Sequence, residues 1–285
     1  MSHAERNTID LPRLMTVEPL ETVNTFVGQA ESYGLLGIYG GHFVGQALSA
    51  GFLTVEDDKF AQSLHAYFLR KGDPEQPIVY KVEHLKTGKG VEVRNISAIQ
   101  SQQVCFSMMA SYKRPEESDE HQPEMPVVIS PEELCLELAS KEQKFNPPMM
   151  VAGRAELRLI SDSFVPEDFT PGRAPALKSW MRSTHERDLS IRESQCVLGF
   201  LSDGTLMFNS VLPYGVPFQT HMLTSLDHSV WFHHHADVRD WMLFDQRSTA
   251  AADGRGMNEG KVYTRSGKLV FSTSQESMLR RMPTG

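Results

Sequence analysis

The sequence predicts an α+β protein made of two similar halves, each with an antiparallel sheet wrapped around one helix. Two observations predict this fold class. A helical stretch with small side chains is followed by a run of alternating strands, and the same order of elements returns in the second half. With 285 residues the chain is long for one domain and sufficient for two, so each half can bury a core.

The first helix is predicted over residues 39–55, where apolar residues recur at three- and four-residue spacing. Gly40 and Gly41 stand at its entry, where the backbone can turn sharply and approach another group closely. Their N–H groups could donate to an anion or a carbonyl oxygen. Further small residues follow, namely Gly45, Ala47, Ser49, Ala50 and Gly51. Other backbone can pack closely on such a helix, as it would inside a sheet.

Strands are predicted on both sides of this helix. A short strand over residues 17–23 precedes it, with residues 25–27 beside that strand. After the helix, alternating segments separated by polar turns cover residues 63–69, 78–85, 91–99 and 104–112. These four segments predict an antiparallel meander.

The second half begins after a change of composition at Arg114, where Pro, Glu and Asp indicate a linker across the surface. We predict an N-terminal unit over residues 1–116, a linker with a short helix (132–144) over 117–150, and a C-terminal unit over 151–285. The C-terminal unit has a predicted helix over residues 193–212. Its predicted strands cover residues 155–160, 177–182, 225–233, 241–247, 261–265 and 269–279.

The amino-acid sequences of the two predicted units also resemble each other. The segment from Ser63 to Phe68 corresponds to that from Ser225 to Phe232, and Gln103 to Ser107 corresponds to Lys268 to Ser272. In each half a helix precedes the meander. An internal repeat of this length predicts a tandem arrangement with joined sheets.

Composition excludes several classes of protein. The net charge of −8 and the pI near 5.8 argue against nucleic acid as a partner, because phosphate binding requires clustered Lys and Arg. No stretch is apolar enough over a sufficient length to span a membrane, and the N-terminus lacks the apolar core of a secretory signal. The three cysteines predict reduced thiols, and the C-terminus is not a peroxisomal Ser-Lys-Leu, so a cytoplasmic location is expected.

Three polar residues are candidates for chemistry, although each is a weak signal alone. Asp203 lies inside an apolar helical stretch, where a carboxylate must be paired, hydrogen-bonded or functional; alternatively it is the N-cap of a second short helix. Ser225 opens a predicted strand, and no Gly-x-Ser-x-Gly elbow surrounds it. Gln275 lies in a predicted central strand, where a buried amide needs partners for both its oxygen and its nitrogen.

Histidines and a glycine-rich loop offer other interpretations. Asp227 and His228 could form an acid–base pair, but adjacent strand residues face opposite sides, which favours a core histidine. The run His233 to His235 could bind a metal, but alternation separates its side chains and no acidic or cysteine ligand completes a set, so no metal is expected. The loop from Asp253 to Gly256 either holds a phosphate or turns the chain.

Taken together, ordered segments of the chain resemble the acyl-CoA thioesterase II family, the TesB-like double-hotdog thioesterases. The resemblance runs from about residue 33 to 280. It is carried by the segments YGGHFVGQAL (39–48), HAYFLRKGD (65–73), LDHSVWFH (226–233) and GRG (254–256). No single segment is decisive, whereas the ordered set is highly specific.

The resemblance implies two hotdog units, each a sheet curled around a long helix, and hydrolysis of acyl-CoA by an activated water without an acyl-enzyme. By motif position the catalytic trio is Asp203, Ser225 and Gln275, with Asp203 as general base. All three lie in the second unit, so the first would be a supporting unit. Five residues become candidates for substrate binding, namely Gly40, Gly41, His65, His228 and Arg255.

The resemblance also has implications for cofactors and partners, and this sequence departs from the family pattern at three positions. No redox or metal cofactor is implied, coenzyme A enters with the substrate, and a homo-oligomer, dimer or tetramer, is expected. His42 replaces the usual Gln, Gly204 after Asp203 is atypical, and Ser277 follows Glu276 in place of Gly. Two alternatives stay open: an acyl-CoA-binding protein without catalysis, and an enoyl-CoA hydratase that would depend on His228.

Overall fold

The computed structural model describes residues 9–33, 37–138, 153–160 and 176–283. Within these residues the strands pair antiparallel into one continuous sheet, and two long helices pack on its inner face. The predicted α+β class with an antiparallel sheet is confirmed. No helix in the described ranges has the length and apolar character that a membrane crossing requires.

The first half contains eight elements in the described residues. They are α1 (Leu11–Leu14), β1 (Val17–Pro19), β2 (Thr25–Gly28), α2 (Gly40–Phe52), β3 (Phe60–Phe68), β4 (Ile78–Lys86), β5 (Val91–Gln100) and β6 (Gln103–Lys113). The helix predicted over residues 39–55 and the four predicted strands of the meander are confirmed, with ends displaced by a few residues. The pair β1 and β2 is antiparallel, with Val17 opposite Gly28.

The second half follows the linker. It contains α3 (Pro131–Leu138), β7 (Ala155–Leu159), β8 (Ala176–Ser183), α4 (Ile191–Ser202), a 3₁₀ helix (Leu206–Ser210), β9 (His221–Ser225), β10 (Asp227–Phe232), β11 (Met242–Ala252), β12 (Arg255–Thr264) and β13 (Leu269–Arg281). Residues 139–144 of the predicted linker helix lie outside the described residues. Cys105 and Cys196 are buried free thiols; nothing is described of the Cys135 side chain.

The strand order is symmetric about the centre of the sheet. It runs β1-β2-β4-β5-β6-β3 in the first half and continues β10-β13-β12-β11-β8-β7 in the second, with β9 as an additional partner of β13. The halves join where β3 pairs with β10, with His65 opposite Ser229 and Ala66 opposite His228. This joint makes one sheet of the two halves, as the sequence predicts.

The two helices pack against each other through small residues of α2. A Cβ added to Gly45 would lie 2.8 Å from the carbonyl oxygen of Cys196, and one added to Gly41 would lie 2.2 Å from that of Phe200. Glycine is therefore required for this approach. The α2 side chains Val44, Ala47 and Leu48 are completely buried. The position of α2 against α4 sets the distance between the start of one helix and the end of the other.

Two predictions about the second half are wrong in detail. The helix predicted over residues 193–212 ends at Ser202, and a separate 3₁₀ helix follows, because polar side chains there bond locally: Asn209 Nδ2 donates to the Leu206 carbonyl. The strand predicted over residues 225–233 is divided at Leu226. Its first residue, Ser225, ends β9 and pairs with Ser277, whereas β10 pairs Ser229 with Ser274, so the register changes by one residue.

The linker lies on the outer face of the second half. Gln122 accepts a hydrogen bond from the Leu269 N–H and donates one to the Gly267 carbonyl. Trp180 Nε1 donates to the Ile129 carbonyl. Leu134 of the linker packs with buried residues of the sheet, namely Trp180, Trp241, Leu243, Tyr263 and Leu269. The linker thus covers apolar sheet surface that would otherwise be exposed.

Candidate active site

The predicted trio meets at the point where α4 ends. Asp203 is the C-cap of α4, Ser225 is the last residue of β9, and Gln275 lies on the inner face of β13. The division of the predicted strand at Leu226 brings Ser225 to this point, because β9 pairs with the end of β13 and places Ser225 opposite Ser277. The structure therefore assembles three side chains that are up to 72 residues apart.

The three side chains form one hydrogen-bonded group. Gln275 Nε2 donates to Asp203 Oδ1 and lies 3.1 Å from Ser225 Oγ. Ser225 Oγ lies 3.5 Å from the same Asp203 oxygen. Asp203 and Gln275 are buried, whereas Ser225 is half-buried and also contacts Met207 Sδ at 3.8 Å. Ser225 is thus the member of the group that a ligand can approach from solvent.

The start of α2 completes the site from the other half of the chain. The Gly41 N–H donates to the Asp203 carboxylate. A Cβ added to Gly40 would lie 2.5 Å from Asp203 Oδ2, so only glycine admits the carboxylate so near. The free N–H groups and the dipole at a helix start favour a negative charge there. The predicted anion-binding role of this glycine pair is thus taken in this structure by the protein's own Asp203.

Burial makes Asp203 an unusually basic carboxylate. It raises the pKa of Asp203 from 3.8 to about 7, and the hydrogen bonds from Gln275, Gly41 and Ser225 oppose this rise only in part. A carboxylate with a pKa near neutrality can take a proton from water and return it within one catalytic cycle. The geometry and the pKa therefore suit a general base.

Tyr39, which the sequence did not single out as functional, fixes the end of α4. Its hydroxyl donates to the Phe200 carbonyl at 2.9 Å, and its ring meets that of Phe200 edge-on at 4.9 Å. Burial raises the pKa of Tyr39, so the hydroxyl stays a donor. Tyr39 is also the N-cap of α2. One residue therefore holds the start of α2 against the end of α4. Its only sequence signal was its place beside Gly40.

His228 is completely buried beneath the end of α4. Its Nε2 lies 2.8 Å from Ser202 Oγ, and Ser202 Oγ also lies 2.8 Å from the Gly199 carbonyl, to which it can donate. Burial lowers the pKa of His228 to about 3, so the ring is neutral near pH 7. Asp227 faces the opposite side and accepts the Glu276 N–H. The expectation that these neighbours form no direct acid–base pair is confirmed.

Two other predicted substrate residues lie away from the trio. His65 is exposed on the outer face, where its Nδ1 lies 3.0 Å from Ser229 Oγ and its ring meets Trp231 edge-on. Arg255 is half-exposed and donates to Glu276 Oε1 at 3.2 Å. Neither residue has a contact with Asp203, Ser225 or Gln275 among the described hydrogen bonds. Their role toward a substrate stays a prediction.

His42, the departure from the family pattern, fits a buried polar network. Its Nε2 donates to the Gln29 carbonyl at 2.9 Å, and its Nδ1 accepts from the Tyr33 hydroxyl at 3.1 Å. Burial lowers the pKa of His42 to about 4. The substitution is therefore accommodated by Tyr33.

In the run from His233 to His235, the ring of His234 forms a hydrogen bond with the Leu269 carbonyl. Across the ranges the structure describes, no three potential metal-ligating side chains cluster.

At the position related to the trio by the symmetry of the sheet, the described residues form no Asp-Ser-Gln group. There α2 ends in Phe52, and the Arg192 guanidinium lies 5.1 Å from the Phe52 ring. Arg192 also donates to the carbonyls of Phe52 and Lys59. An arginine therefore stands near the start of α4, and an aromatic ring occupies the end of α2. Among the described residues, the two ends of the helix pair therefore differ.

Comparison with known proteins identifies the family to which the chain is similar. A sequence profile described as acyl-CoA thioesterase matches residues 162–278, and one described as acyl-CoA thioesterase N-terminal domain matches residues 29–113. The chain is 32% identical to Acyl-CoA thioesterase 2 of Haemophilus influenzae, covering 98% of this chain and 99% of that protein. It is 33% identical to Acyl-coenzyme A thioesterase 8 of Rattus norvegicus, covering 86% and 81%.

Solved structures give the same result. The acyl-CoA thioesterase II TesB2 of Mycobacterium marinum superimposes with a TM-score of 0.78 at 28% identity, covering 94% of this chain and 97% of that one. A hot dog fold protein of unknown function from Alicyclobacillus acidocaldarius superimposes over 100% of both chains, with a TM-score of 0.76 at 20% identity, and shows the fold alone. By near-full-length identity above 30% and by these profiles, this chain belongs to the acyl-CoA thioesterase family.

Proposed function

We propose that this protein hydrolyses acyl-CoA thioesters to a free carboxylic acid and coenzyme A. The observation that carries the proposal is the buried Asp203 carboxylate, whose pKa is raised to about 7 and which Gln275, Ser225 and Gly41 hold by hydrogen bonds. Relatives named as acyl-CoA thioesterases support the substrate class. Coenzyme A is then part of the substrate, and no further cofactor is expected.

The chemistry follows from the roles that these groups can take. Asp203 removes a proton from a water molecule held by the Ser225 hydroxyl, and the water oxygen forms a bond to the thioester carbonyl carbon. The carbon–sulfur bond then breaks, and the leaving thiolate takes the proton back from Asp203. Gln275 Nε2 orients Asp203 and Ser225 in one geometry. Water, not Ser225, forms the new bond, so no acyl-enzyme is made.

The tandem organisation is part of the same proposal. Each half has one long helix on the inner face of its part of the sheet, and the strand orders of the halves mirror each other. These features support two hotdog units divided at residues 1–116, 117–150 and 151–285. The second unit supplies the trio, and the first supplies the start of α2. A cytoplasmic location stays a prediction of the sequence.

A second copy of this chain is the partner that the outer face favours. Two rows of cross-strand neighbours over β5, β6, β3, β10 and β13 carry no Asp, Glu, Lys or Arg. The rows are Val93, Ser111, Ser63, Trp231, Ser272 and Asn95, Met109, His65, Ser229, Ser274. Charge-depleted surface with exposed aromatic side chains is typical of interfaces. Trp231→Glu should reduce the mass measured by light scattering; an unchanged mass would exclude this face as the interface.

Thiol release from a series of acyl-CoA esters, short to long, tests the activity. Asp203→Ala should lower the rate of thiol release at least about 100-fold, the loss expected when a general base is removed. Asp227→Asn is the matched control, because its carboxylate lies two residues from Ser225 but accepts only the Glu276 N–H, which an amide oxygen can also do. It should keep the rate within about threefold.

Two results would overturn the proposal. Near-normal turnover by Asp203→Ala would remove Asp203 from the mechanism. No thiol release from any ester by a wild-type protein that still binds acyl-CoA would favour a binding protein. Hydration of an enoyl-CoA that is lost in a His228 variant would favour the hydratase alternative.

A further inference from the structure

Three buried polar atoms without a hydrogen-bond partner lie on Gln275 of the trio and on two residues near it in the sheet. They are Gln275 Oε1, Ser277 Oγ and Asn258 Oδ1, none of which has a hydrogen-bond partner among the described residues. All three residues are completely inaccessible to solvent. Asn258 of β12 pairs directly with Gln275 of β13, and Gly256 pairs with Ser277. Unpaired buried polar groups are rare and costly, so a cluster of them beside a reactive carboxylate calls for a reason.

The surroundings of Asn258 show that its side chain is confined but not fixed by other bonds. Its inner-face neighbours along β12 are Gly256 and Gly260, where an added Cβ would lie 2.2 Å from Ser210 and 2.4 Å from the Phe244 ring. Asn258 therefore stands alone in a slot between Ser210 and Phe244. Its Nδ2 makes one contact, to the Gly256 carbonyl at 3.5 Å, which is at the limit of a hydrogen bond.

The register places the two amides within reach of each other. Directly opposite residues of an antiparallel pair have Cβ atoms about 4.5–5.5 Å apart, and both side chains point to the inner face. No hydrogen bond joins them in the structure. The last torsion angle of an asparagine is soft, and rotation about it turns Nδ2 from the Gly256 carbonyl toward Gln275 Oε1. Catalytic hydrogen bonds often close in this way only when substrate is bound.

We infer that Asn258 is a positioning residue for Gln275, donating its Nδ2–H to Gln275 Oε1 and so keeping the Nε2 end directed at Asp203 and Ser225. The inference rests on the proposed function. A reversed Gln275 amide would place Oε1 against the Asp203 oxygen, and two acceptors would then face each other. An apolar side chain of similar size would suit a purely structural slot better than an asparagine with an unpaired oxygen.

Two variants test the inference, Asn258→Leu and Asn258→Ala. Both remove the donor that faces Gln275 Oε1, and neither adds a charge that could itself change the pKa of Asp203. The expected result is a fall in kcat of about 10- to 100-fold with KM within about threefold. Asp203 then loses the hydrogen bond from Gln275 that lowers its pKa, so this pKa should rise. The acid limb of the pH–rate profile, where the rate falls as Asp203 takes up a proton, should therefore move to higher pH by about half a unit or more.

Ser248→Ala is the matched control. Ser248 is buried and pairs with Asn258 on the other side, in β11, but it is one strand further from Gln275 and donates to the Met257 carbonyl. This variant should leave the acid limb unchanged. Melting temperatures of all variants are measured beside the kinetics. If Asn258→Leu does not fold, the smaller Asn258→Ala decides alone, because it removes the same donor without adding volume or charge.

The outcomes separate this inference from the proposed function. A displaced acid limb with reduced kcat in the Asn258 variants, and not in Ser248→Ala, supports a positioning role. An unchanged acid limb, or the same displacement in Ser248→Ala, overturns it while Asp203→Ala still abolishes turnover. If the wild-type protein releases no thiol from any ester, the proposed function itself fails, and the Asn258 inference with it.

Discussion

Replacing Asp203 by asparagine should stabilise the protein at and above neutral pH while abolishing its activity. The carboxylate is buried, and its pKa is raised from 3.8 to about 7 because burial penalises the charged form. An asparagine oxygen can still accept the hydrogen bond from Gln275 Nε2. The variant therefore keeps the bond to Gln275 and removes the cost of a buried charge.

The size and sign of the effect follow from proton linkage. Between about pH 4 and pH 7 the folded protein holds a proton on Asp203 that the unfolded chain has released. The contribution of Asp203 to stability is therefore fully present below about pH 4 and is lost as pH rises through about 7. A shift of about three units corresponds to about 4 kcal/mol, or about 7 °C in melting temperature for a chain of this size.

The assay is denaturant and thermal unfolding of the wild type and Asp203→Asn at several pH values from 4 to 8.5. The two should have similar stability at pH 4, and the variant should gain progressively up to pH 8. A constant difference across this range would show that Asp203 does not carry a raised pKa in the folded state. The same experiment on Asp227→Asn should give a smaller slope, since that carboxylate is only half-buried.

Three further variants test the supports of the site. Gly41→Ala should lower kcat about 100-fold, because its Cβ would collide with the Phe200 carbonyl and displace α2 from Asp203; unchanged kinetics would contradict the glycine requirement. Tyr39→Phe should cost about 1 kcal/mol in unfolding experiments, the value of one hydrogen bond, and an equal stability would show that the bond to Phe200 contributes nothing. His228→Gln should keep the pH–rate profile from pH 5 to 8, because His228 stays neutral there, and loss of a limb would refute this.

Much of the fold could be predicted because it depends on local patterns. The spacing of Val44, Ala47 and Leu48 predicts α2 with its buried face, and all three are buried. Alternation predicts the strands of the meander because one face of each strand is buried and the other is wetter, as the burial of β5 shows. The glycines of α2 predict close packing, and the structure identifies α4 as the partner.

The site could be predicted only in part, because its geometry depends on contacts between distant segments. The sequence left open whether one helix continues through Asp203 or two short helices meet there, and only the structure shows that α4 ends at Ser202. The division of a strand at Leu226 depends on the register of its partner β13, which a single strand does not reveal. Motif position selected Asp203, Ser225 and Gln275, which the structure brings together, whereas the contact of Tyr39 with α4 and the pairing of Asn258 with Gln275 required the tertiary structure.

The hydrogen bond from Gly41 to Asp203 makes the two halves of the chain depend on each other. All three members of the trio are encoded after residue 200, yet the carboxylate is held by backbone encoded near residue 40. A C-terminal fragment expressed alone would contain the reactive side chains without the surface that orders them. Recombination could therefore replace one half by a homologous half only if the start of α2 still fitted the end of α4. The two halves are expected to evolve together for this reason.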